Sequence, residues 1–305
     1  MRIHEILASK GEPVFSFEFF PPRTDDGLEG LWRALDSLRE LEPDYVSVTY
    51  GAGGATRDGT VEISTKIKNE LGLETMTHLS CVGETVEGLE GVLGRIEGAG
   101  IENLLALRGD PPRGETEFEA PDGGLSSAAE LAAYVAENHD FAIGGSCFPE
   151  IHPEAASLEA DLAYLKTKVD AGTSFLVTQL FFDNRVYFDW LAEARRAGIE
   201  VPIIPGIMPI TSYAQIKRFC TLCEATIPDP LAEAMEELNG DDEAEQELGI
   251  AYAARQCEEL LAAGAPGLHF YTLNKAPATR AILRALRVAR PWERAPERLP
   301  AGSRN

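Results

Sequence analysis

The chain has few cysteines and no long uninterrupted apolar segment. Its five cysteines are scattered over 305 residues, which is too few and too dispersed for a disulfide framework and favours a cytoplasmic protein. No stretch reaches the roughly 18 to 20 apolar residues that a membrane span requires. The first residues show no apolar segment followed by a small-residue cleavage site, so we expect neither a signal peptide nor a membrane protein.

Basic residues are also scarce. The sequence has 27 lysines and arginines against 50 aspartates and glutamates, and its formal net charge is −23. Because a duplex-binding surface needs a basic face, we do not expect nucleic acid as a partner. The acidic stretch from Glu233 to Glu247 is expected to form a solvated helix or loop. An acidic surface of this kind would suit high salt, where screening weakens the repulsion between like charges.

Several common motifs are missing. No G-x-G-x-x-G or P-loop sequence is present, and the nearest candidate, Gly51-Ala52-Gly53-Gly54, does not fit either pattern, so a Rossmann dinucleotide site is not expected. No G-x-S-x-G elbow is present, which argues against an α/β-hydrolase. Cys220 and Cys223 form a C-x-x-C pair without a second pair, and we expect two buried thiols in a helix and no metal site.

Eight short apolar runs, separated by helix-length segments, account for most of the chain. The runs are Val14–Phe19, Tyr45–Thr49, Thr75–Leu79, Asn103–Arg108, Phe141–Ser146, Phe175–Leu180, Ile203–Ile207 and Gly267–Thr272. The segments between them carry leucines at three- and four-residue spacing, which predicts helices and therefore βαβ units. Eight such units predict a (β/α)8 TIM barrel that forms a single domain over residues 1–305. We expect a long last crossover near 228–249 and a flexible tail over 291–305.

Polar residues finish most of the predicted strands. They include Glu18, Thr49, Tyr50, His78, Arg108, Gly109, Asp110, Ser146, Gln179 and Tyr271. In a barrel of this type the carboxyl ends of the strands share one rim, which holds the active site. Glu18 lies among Phe17, Phe19 and Phe20, and the loss of hydration there predicts a raised pKa, as a general acid requires. The alternative is a structural pair with an arginine.

The segment Arg108-Gly109-Asp110-Pro111-Pro112 predicts a second functional element on the same rim. The prolines fix the turn after the strand, and the glycine permits a close approach of the backbone. Arg108 and Asp110 either pair with each other or contact a ligand. The residues that follow, up to Gly124, are expected to form a mobile lid.

Longer strings in the chain closely resemble the methylenetetrahydrofolate reductases, flavoenzymes of one-carbon metabolism. The strings are Phe15–Pro22, Ser47–Ala52, Leu105–Asp110, Pro149–Glu154, Lys168–Gly172, Thr178–Asp183, Pro205–Pro209 and His269–Asn274. They occur in the family's order over nearly the whole chain. The resemblance implies a barrel that binds FAD without a Rossmann fold. It also implies that NAD(P)H reduces the flavin, which then reduces 5,10-methylenetetrahydrofolate to 5-methyltetrahydrofolate. We further expect a homo-oligomer.

The resemblance assigns roles to individual residues. Glu18 matches the general acid that protonates N10 of the folate, and Asp110 matches a catalytic aspartate near the flavin and the pterin. The positions implied for FAD are Thr49, Tyr50, Ala52, His78, Arg108, Gly109, Asp110, Phe148, His152, Asp161 and Lys168. The positions implied for the substrates are Gln179, Gln215, Tyr271 and Lys275.

The chain departs from the family pattern at a few positions. Phe148 replaces an expected tyrosine, Tyr164 and Thr167 alter the adenine side, and Lys275 replaces a common arginine, which weakens a bidentate grip on carboxylate. Because the chain stops after the barrel, a C-terminal regulatory domain is not expected. Two other interpretations stay open: another FAD-dependent barrel of the proline-dehydrogenase type, and a non-catalytic folate- or flavin-binding subunit of an electron-transfer complex.

Overall fold

A closed barrel of parallel strands organises the protein. The structure, a computed structural model, describes residues 1–50, 57–109 and 120–294. Within them the strands are β1 Val14–Phe19, β2 Tyr45–Val48, β3 Thr75–Ser80, β4 Asn103–Leu107, β5 Ala142–Cys147, β6 Thr173–Thr178, β7 Ile203–Ile204, β8 Gly206–Ile207 and β9 Gly267–Tyr271. The sheet order is β7-β6-β5-β4-β3-β2-β1-β9-β8. Only Pro205 separates β7 from β8, so these are two halves of one barrel strand. The predicted (β/α)8 barrel is confirmed.

Helices alternate with the strands and surround them. They are α1 Ile3–Ser9, α2 Asp25–Arg39, α3 Arg57–Leu71, α4 Val86–Gly98, α5 Ala128–Asn138, α6 Leu158–Asp170, α7 Asn184–Arg196, α8 Tyr213–Cys223, α9 Asp229–Glu237, α10 Asp242–Ala262 and α11 Pro277–Ala289. Helices α9 and α10 form the long last crossover that the sequence predicts. Over the described ranges, no helix is both long enough and apolar enough to cross a membrane.

Short polar side chains fix where several helices begin. Thr24, Thr85, Ser127 and Ser157 each accept a hydrogen bond from the backbone N–H three residues further along the chain. Each bond satisfies an amide that has no partner within its helix. Since these helices follow strands, the caps set the points at which the chain leaves the rim.

Helix α1 closes the opposite end of the barrel. Its Ile3 and Ile6 are buried and pack with Tyr45 and Phe175 from the strands. The backbone N–H of Ile3 donates to Asn103 Oδ1 over 2.8 Å, which fixes α1 at the beginning of β4. The amino ends of the strands are therefore covered, and the cavities described below lie at the carboxyl ends.

Two predictions need correction in part. The acidic stretch lies on α9 and α10 with its other carboxylates exposed, as expected, but Glu245 is buried, and its Oε2 accepts from the Tyr213 N–H over 2.7 Å. It therefore satisfies an amide at the start of α8. The flexible tail does not begin at residue 291, because Pro291–Glu293 forms a 3-10 helix and the Trp292 ring packs 5.9 Å from the ring of Phe15. Residues 295–305 lie outside the described part.

Gly249, within α10, is expected to be intolerant of a larger residue. A Cβ there would overlap the backbone oxygen of Ile210, so Gly249→Ala should lower the free energy of unfolding by about 1–3 kcal/mol. Gly91→Ala is the matched control, since Gly91 is an exposed residue of α4 with nothing within 4 Å of an added Cβ. The control should gain up to about 1 kcal/mol from helix propensity. Urea unfolding measures both, and similar effects would contradict the packing argument.

Candidate active site

Two adjoining cavities open at the carboxyl ends of the strands. The first, of about 470 Å³, contains Glu18 and is termed the Glu18 cavity. The second, of about 530 Å³, contains Lys168 and is termed the Lys168 cavity. Four residues line both cavities: Tyr50, Leu107, Ser146 and Phe148. The two spaces therefore adjoin along a shared wall.

The structure brings most of the predicted site residues to these cavities. Those that line the Glu18 cavity are Glu18, Thr49, Tyr50, His78, Phe148, Gln179 and Tyr271. Those that line the Lys168 cavity are Tyr50, Arg108, Gly109, Phe148, His152, Asp161 and Lys168. Gln215 lines neither, and Lys275 lines a third cavity on the same rim. Ala52, Asp110 and most of the predicted lid lie outside the described residues.

Strand pairing builds a polar column inside the barrel. The parallel register of β1 and β9 sets Ser16 opposite His269 and Glu18 opposite Tyr271, and residues two apart on a strand share a face. His269 Nδ1 lies 2.7 Å from Ser16 Oγ, and His269 Nε2 lies 3.2 Å from Glu18 Oε2. Ser16, His269 and Glu18, termed the polar column, therefore form a connected chain of hydrogen bonds.

The His269 ring is held rigidly within this column. The Tyr45 ring stacks on it with centroids 6.1 Å apart, and the Tyr271 ring meets it at an angle of 88° over 5.4 Å. An ionised carboxylate only accepts hydrogen bonds. His269 Nε2 therefore carries a hydrogen and donates a hydrogen bond to Glu18 Oε2. His269 Nδ1 then accepts from the Ser16 hydroxyl.

The pKa of Glu18 is lowered by its contacts with histidines, whereas the aromatic residues beside it in the sequence predict a raised pKa. Burial raises the pKa of Glu18, but the hydrogen bond from His269 and the electrostatic influence of His78 and His269 outweigh it, so the pKa lies below that of an ordinary glutamate. The prediction of a raised pKa is therefore wrong for this arrangement. His78 Nε2 lies 3.4 Å from Glu18 Oε2, and burial lowers the pKa of His78 to about 4. The His78 ring is thus neutral at neutral pH.

Sequence reasoning missed the supporting residues of the column. His269 precedes Tyr271 by two positions on β9, and Ser16 precedes Glu18 by two on β1, so alternation along each strand could have identified them. Helix α8 also contributes Phe219, Leu222 and Cys223 to the wall of the Glu18 cavity, and none of these three is among the predicted site residues. Burial raises the pKa of the Cys220 and Cys223 thiols, as expected for inert helical cysteines.

Lys168 places a buried positive charge in the second cavity. Its Nζ donates to the carbonyl oxygen of Ser146 over 2.5 Å and lies 5.6 Å from the centre of the Tyr164 ring. It forms no ion pair with any residue in the described ranges, and burial lowers its pKa. Asp161 lines the same cavity and acts on Lys168 electrostatically, but from beyond ion-pair distance. Because a buried ammonium group is unfavourable unless it is closely paired, this position favours an anionic ligand.

Arg108 faces the same cavity and is already engaged. Its guanidinium donates two hydrogen bonds to Glu154, of 2.5 and 2.7 Å, and this bidentate pair lowers the pKa of the Glu154 carboxyl. The next residue, Gly109, has a φ of +90°, and a Cβ there would lie 2.5 Å from Val82 Cγ1 and 2.8 Å from Ser80 Oγ. The close approach predicted at Gly109 is therefore confirmed, and the chain that it approaches is the end of β3 and the residues directly after it.

The segment that leads from β5 into α6 shapes the wall between Arg108 and Lys168. Ile151 adopts a φ of +69°, a rare conformation for a β-branched residue. The N–H of His152 donates to Asp161 Oδ2 over 3.2 Å, and the Phe148 and His152 rings pack edge to face with centroids 4.5 Å apart. Within the described ranges, no group of three or more His, Cys, Asp or Glu side chains could hold a metal ion.

Comparison with known proteins identifies the family. The family model for methylenetetrahydrofolate reductases matches residues 2–287. The chain belongs to this family. It is 39% identical over 279 residues to the 5,10-methylenetetrahydrofolate reductase of Escherichia coli strain K12, with 92% of each chain covered.

Relatives in this reductase family differ in length. The chain is 39% identical over 307 residues to methylenetetrahydrofolate reductase (NADH) 1 of Arabidopsis thaliana. The matched region covers 94% of this chain and 52% of the plant protein. It thus spans about half the length of that relative. Among solved structures, an uncharacterized protein from Clostridium thermocellum that binds two copies of 5-methyl-5,6,7,8-tetrahydrofolic acid has a TM-score of 0.62 at 14% identity, covering 92% of this chain and 96% of its own. This likeness supports the barrel alone.

The contribution of His269 to the ionisation of Glu18 can be measured. We expect His269→Phe to raise the pKa of Glu18, because burial then acts without the opposing hydrogen bond; the new ring keeps the packing against Tyr45 and Tyr271. Infrared titration of the carboxyl band, assigned with Glu18→Gln, gives the pKa. His152→Phe, in the Lys168 cavity, is the control and should leave it unchanged. An unaltered titration in His269→Phe would contradict the role of the column.

Proposed function

We propose that the chain reduces 5,10-methylenetetrahydrofolate to 5-methyltetrahydrofolate, with FAD as cofactor and a reduced nicotinamide nucleotide as electron donor. The observation that carries the proposal is that two unlike cavities adjoin on the rim. One surrounds the largely buried carboxyl group of Glu18, and the other contains the cations Lys168 and Arg108. Family membership supports the same reaction. Three plant relatives are named as NADH enzymes, which favours NADH as the donor.

The residues of the Lys168 cavity fit FAD. Lys168 and Arg108 supply the positive charges that a pyrophosphate requires, and the guanidinium can bind phosphate oxygens in a bidentate manner. The buried hydroxyl of Ser80, which lines this cavity, has no hydrogen-bond partner among the residues described. A polar ligand in the cavity would satisfy it, because buried polar groups ordinarily have partners.

Glu18 is the proton donor in the proposed reaction. FAD, when bound, would accept hydride from the nicotinamide and supply it to the one-carbon unit of the folate. The Glu18 carboxyl would protonate N10, so that the bond from N10 to the bridging carbon breaks and an electrophilic iminium carbon remains on N5. Asp110, outside the described residues, would favour this cation by its negative charge.

The lowered pKa of Glu18 sets a condition on this step. In the open cavity the carboxyl group is ionised at neutral pH, so it must gain a proton before it can act as an acid. A pterin ring over Glu18 would exclude water and favour the protonated form. The hydrogen bond from His269 keeps the carboxyl group oriented in either state.

Other residues of the Glu18 cavity are suited to hold the substrate. Gln179 Oε1 accepts from the N–H of Leu180 over 2.8 Å, which leaves its amide N–H groups as donors for a ligand. The Tyr271 hydroxyl donates to the carbonyl oxygen of Thr178 over 2.5 Å, so its ring is fixed as a wall of the cavity. We propose that Gln179, Tyr271 and Thr49 position the folate and the nicotinamide.

The two half-reactions test the function and the role of Glu18. The purified protein should show a flavin spectrum, bleach with NADH under anaerobic conditions, and reoxidise with methylenetetrahydrofolate. Glu18→Gln should retain flavin reduction and lose about a hundredfold or more in reoxidation by folate. Stopped-flow absorbance measures both rates. A protein that binds no FAD would overturn the proposed function, whereas normal reoxidation in the variant would overturn only the acid role.

The role of Lys168 in FAD binding has a control on the same helix. Lys168→Met should raise the Kd for FAD about tenfold or more, because a buried charge-assisted bond to phosphate is lost. Lys166→Met is the control, since Lys166 is partly exposed, pairs with Asp170 and does not line the cavity, and the Kd of this variant should not change. Quenching of flavin fluorescence gives both constants. Equal affinities in the two variants would contradict the assignment.

A further inference from the structure

The segment between β5 and α6 contributes to the walls of both cavities. Its Phe148 lines the Glu18 cavity and the Lys168 cavity, and its His152 and Glu154 line the Lys168 cavity. The proposed cofactor would therefore lie against this segment. Glu150 lies between these residues in the sequence but lines neither cavity, so a direct ligand contact does not account for its carboxylate.

Glu150 instead binds the chain that follows α8. Its Oε1 and Oε2 both accept from the backbone N–H of Thr226, over 3.1 and 2.9 Å, and it forms no ion pair in the described part of the chain. Burial raises the pKa of the Cys220 and Cys223 thiols, and the negative charge of Glu150 adds to both shifts. Glu150 thus lies near the last turn of α8, where the helix carries partial negative charge. The bonds to the Thr226 N–H offset this unfavourable position.

The last turns of α8 form an outer wall of the Glu18 cavity. Phe219, Leu222 and Cys223 line the cavity, and the Leu222 side chain is 70% exposed. Because Leu222 gains little from burial, the hydrogen bonds of the adjoining chain contribute more to the position of this end of the helix. Thr226 follows Cys223 by three residues, so the contact with Glu150 acts directly on this wall.

We propose that Glu150 is a positioning residue for the folate, an inference that rests on the proposed function. Its carboxylate fixes α8 to the segment before α6 and thereby sets the width of the Glu18 cavity. Phe148 and the last turns of α8 both line that cavity, and a ring system bound there can pack on both only while their separation is fixed. Glu150 acts through these walls and not by contact with the ligand. The contact requires an acceptor oxygen but not a negative charge.

Substitutions of Glu150 in the FAD-loaded protein test the proposal. Glu150→Ala should raise the Kd for 5-methyltetrahydrofolate about three- to tenfold, because a charge-assisted hydrogen bond at a partly exposed site is lost. The Kd for FAD should stay the same. Glu150→Gln retains an acceptor oxygen of the same reach and should restore most of the folate affinity. Calorimetric titration gives the folate constants, and quenching of flavin fluorescence gives those for FAD.

Hydrogen exchange provides a second measurement, and Glu159→Ala is the matched control. Peptides over residues 213–226 should exchange faster in Glu150→Ala than in Glu150→Gln, because the end of α8 opens more often. Glu159 is an exposed residue of α6 that forms no hydrogen bond or ion pair with a described residue and lines neither cavity. Its variant removes the same side chain and charge, and should keep the wild-type constants and exchange.

Several outcomes would overturn the positioning role. They are an unchanged folate Kd in Glu150→Ala, an equal loss of folate affinity in Glu150→Gln, and a parallel loss of affinity for FAD. Tighter folate binding in both variants would also overturn it, since the charge of Glu150 would then act by repelling the anionic folate. In each case, reduction of methylenetetrahydrofolate by the wild-type protein leaves the proposed function intact. A wild-type protein that neither binds FAD nor reduces the folate would overturn both.

Discussion

The parallel pairing of β1 with β9 places the central groups of the site. Its register brings His269 beside Ser16 and Tyr271 beside Glu18, although 251 positions separate Glu18 from His269 in the chain. The other edge of β9 closes the barrel, because the His269 N–H donates to the carbonyl oxygen of Pro205, between β7 and β8, over 2.9 Å. Closure therefore gives Glu18 both its hydrogen-bond donor and the walls of its cavity.

Charge is distributed very unevenly over this molecule. The acidic residues that dominate the composition lie mostly on the outer helices, and some of them neutralise arginines there. At the rim, the Lys168 cavity brings the buried Lys168 and the guanidinium of Arg108 together, although Asp161 and Glu154 also line it. Local field, and not net charge, decides which ligands such a protein can attract. A total of −23 is thus compatible with anionic substrates.

Local patterns predict the barrel well, because each strand is buried on both faces and reads as a short apolar run. They also predict that Glu18 loses hydration. The sign of its pKa shift required His78 and His269, which reach it from β3 and β9 through tertiary pairing. The burial of Glu245 could not be predicted for a similar reason, since the amide that it satisfies belongs to another helix. The ordered packing of Trp292 could not be predicted either, because its packing partner, Phe15, lies at the other end of the sequence.

The bidentate pair between Arg108 and Glu154 has a kinetic consequence. An anion that binds the Nη1 and Nη2 edge of the guanidinium must replace the carboxylate that accepts a hydrogen bond from each of these nitrogens. Its entry there is an exchange of partners and not a simple addition. The rate at which the pair opens then limits association once the anion is abundant. Glu154 follows His152 by two residues. Loss of its bond to Arg108 therefore also removes one contact that holds the segment of His152 and Glu154 at the cavity wall.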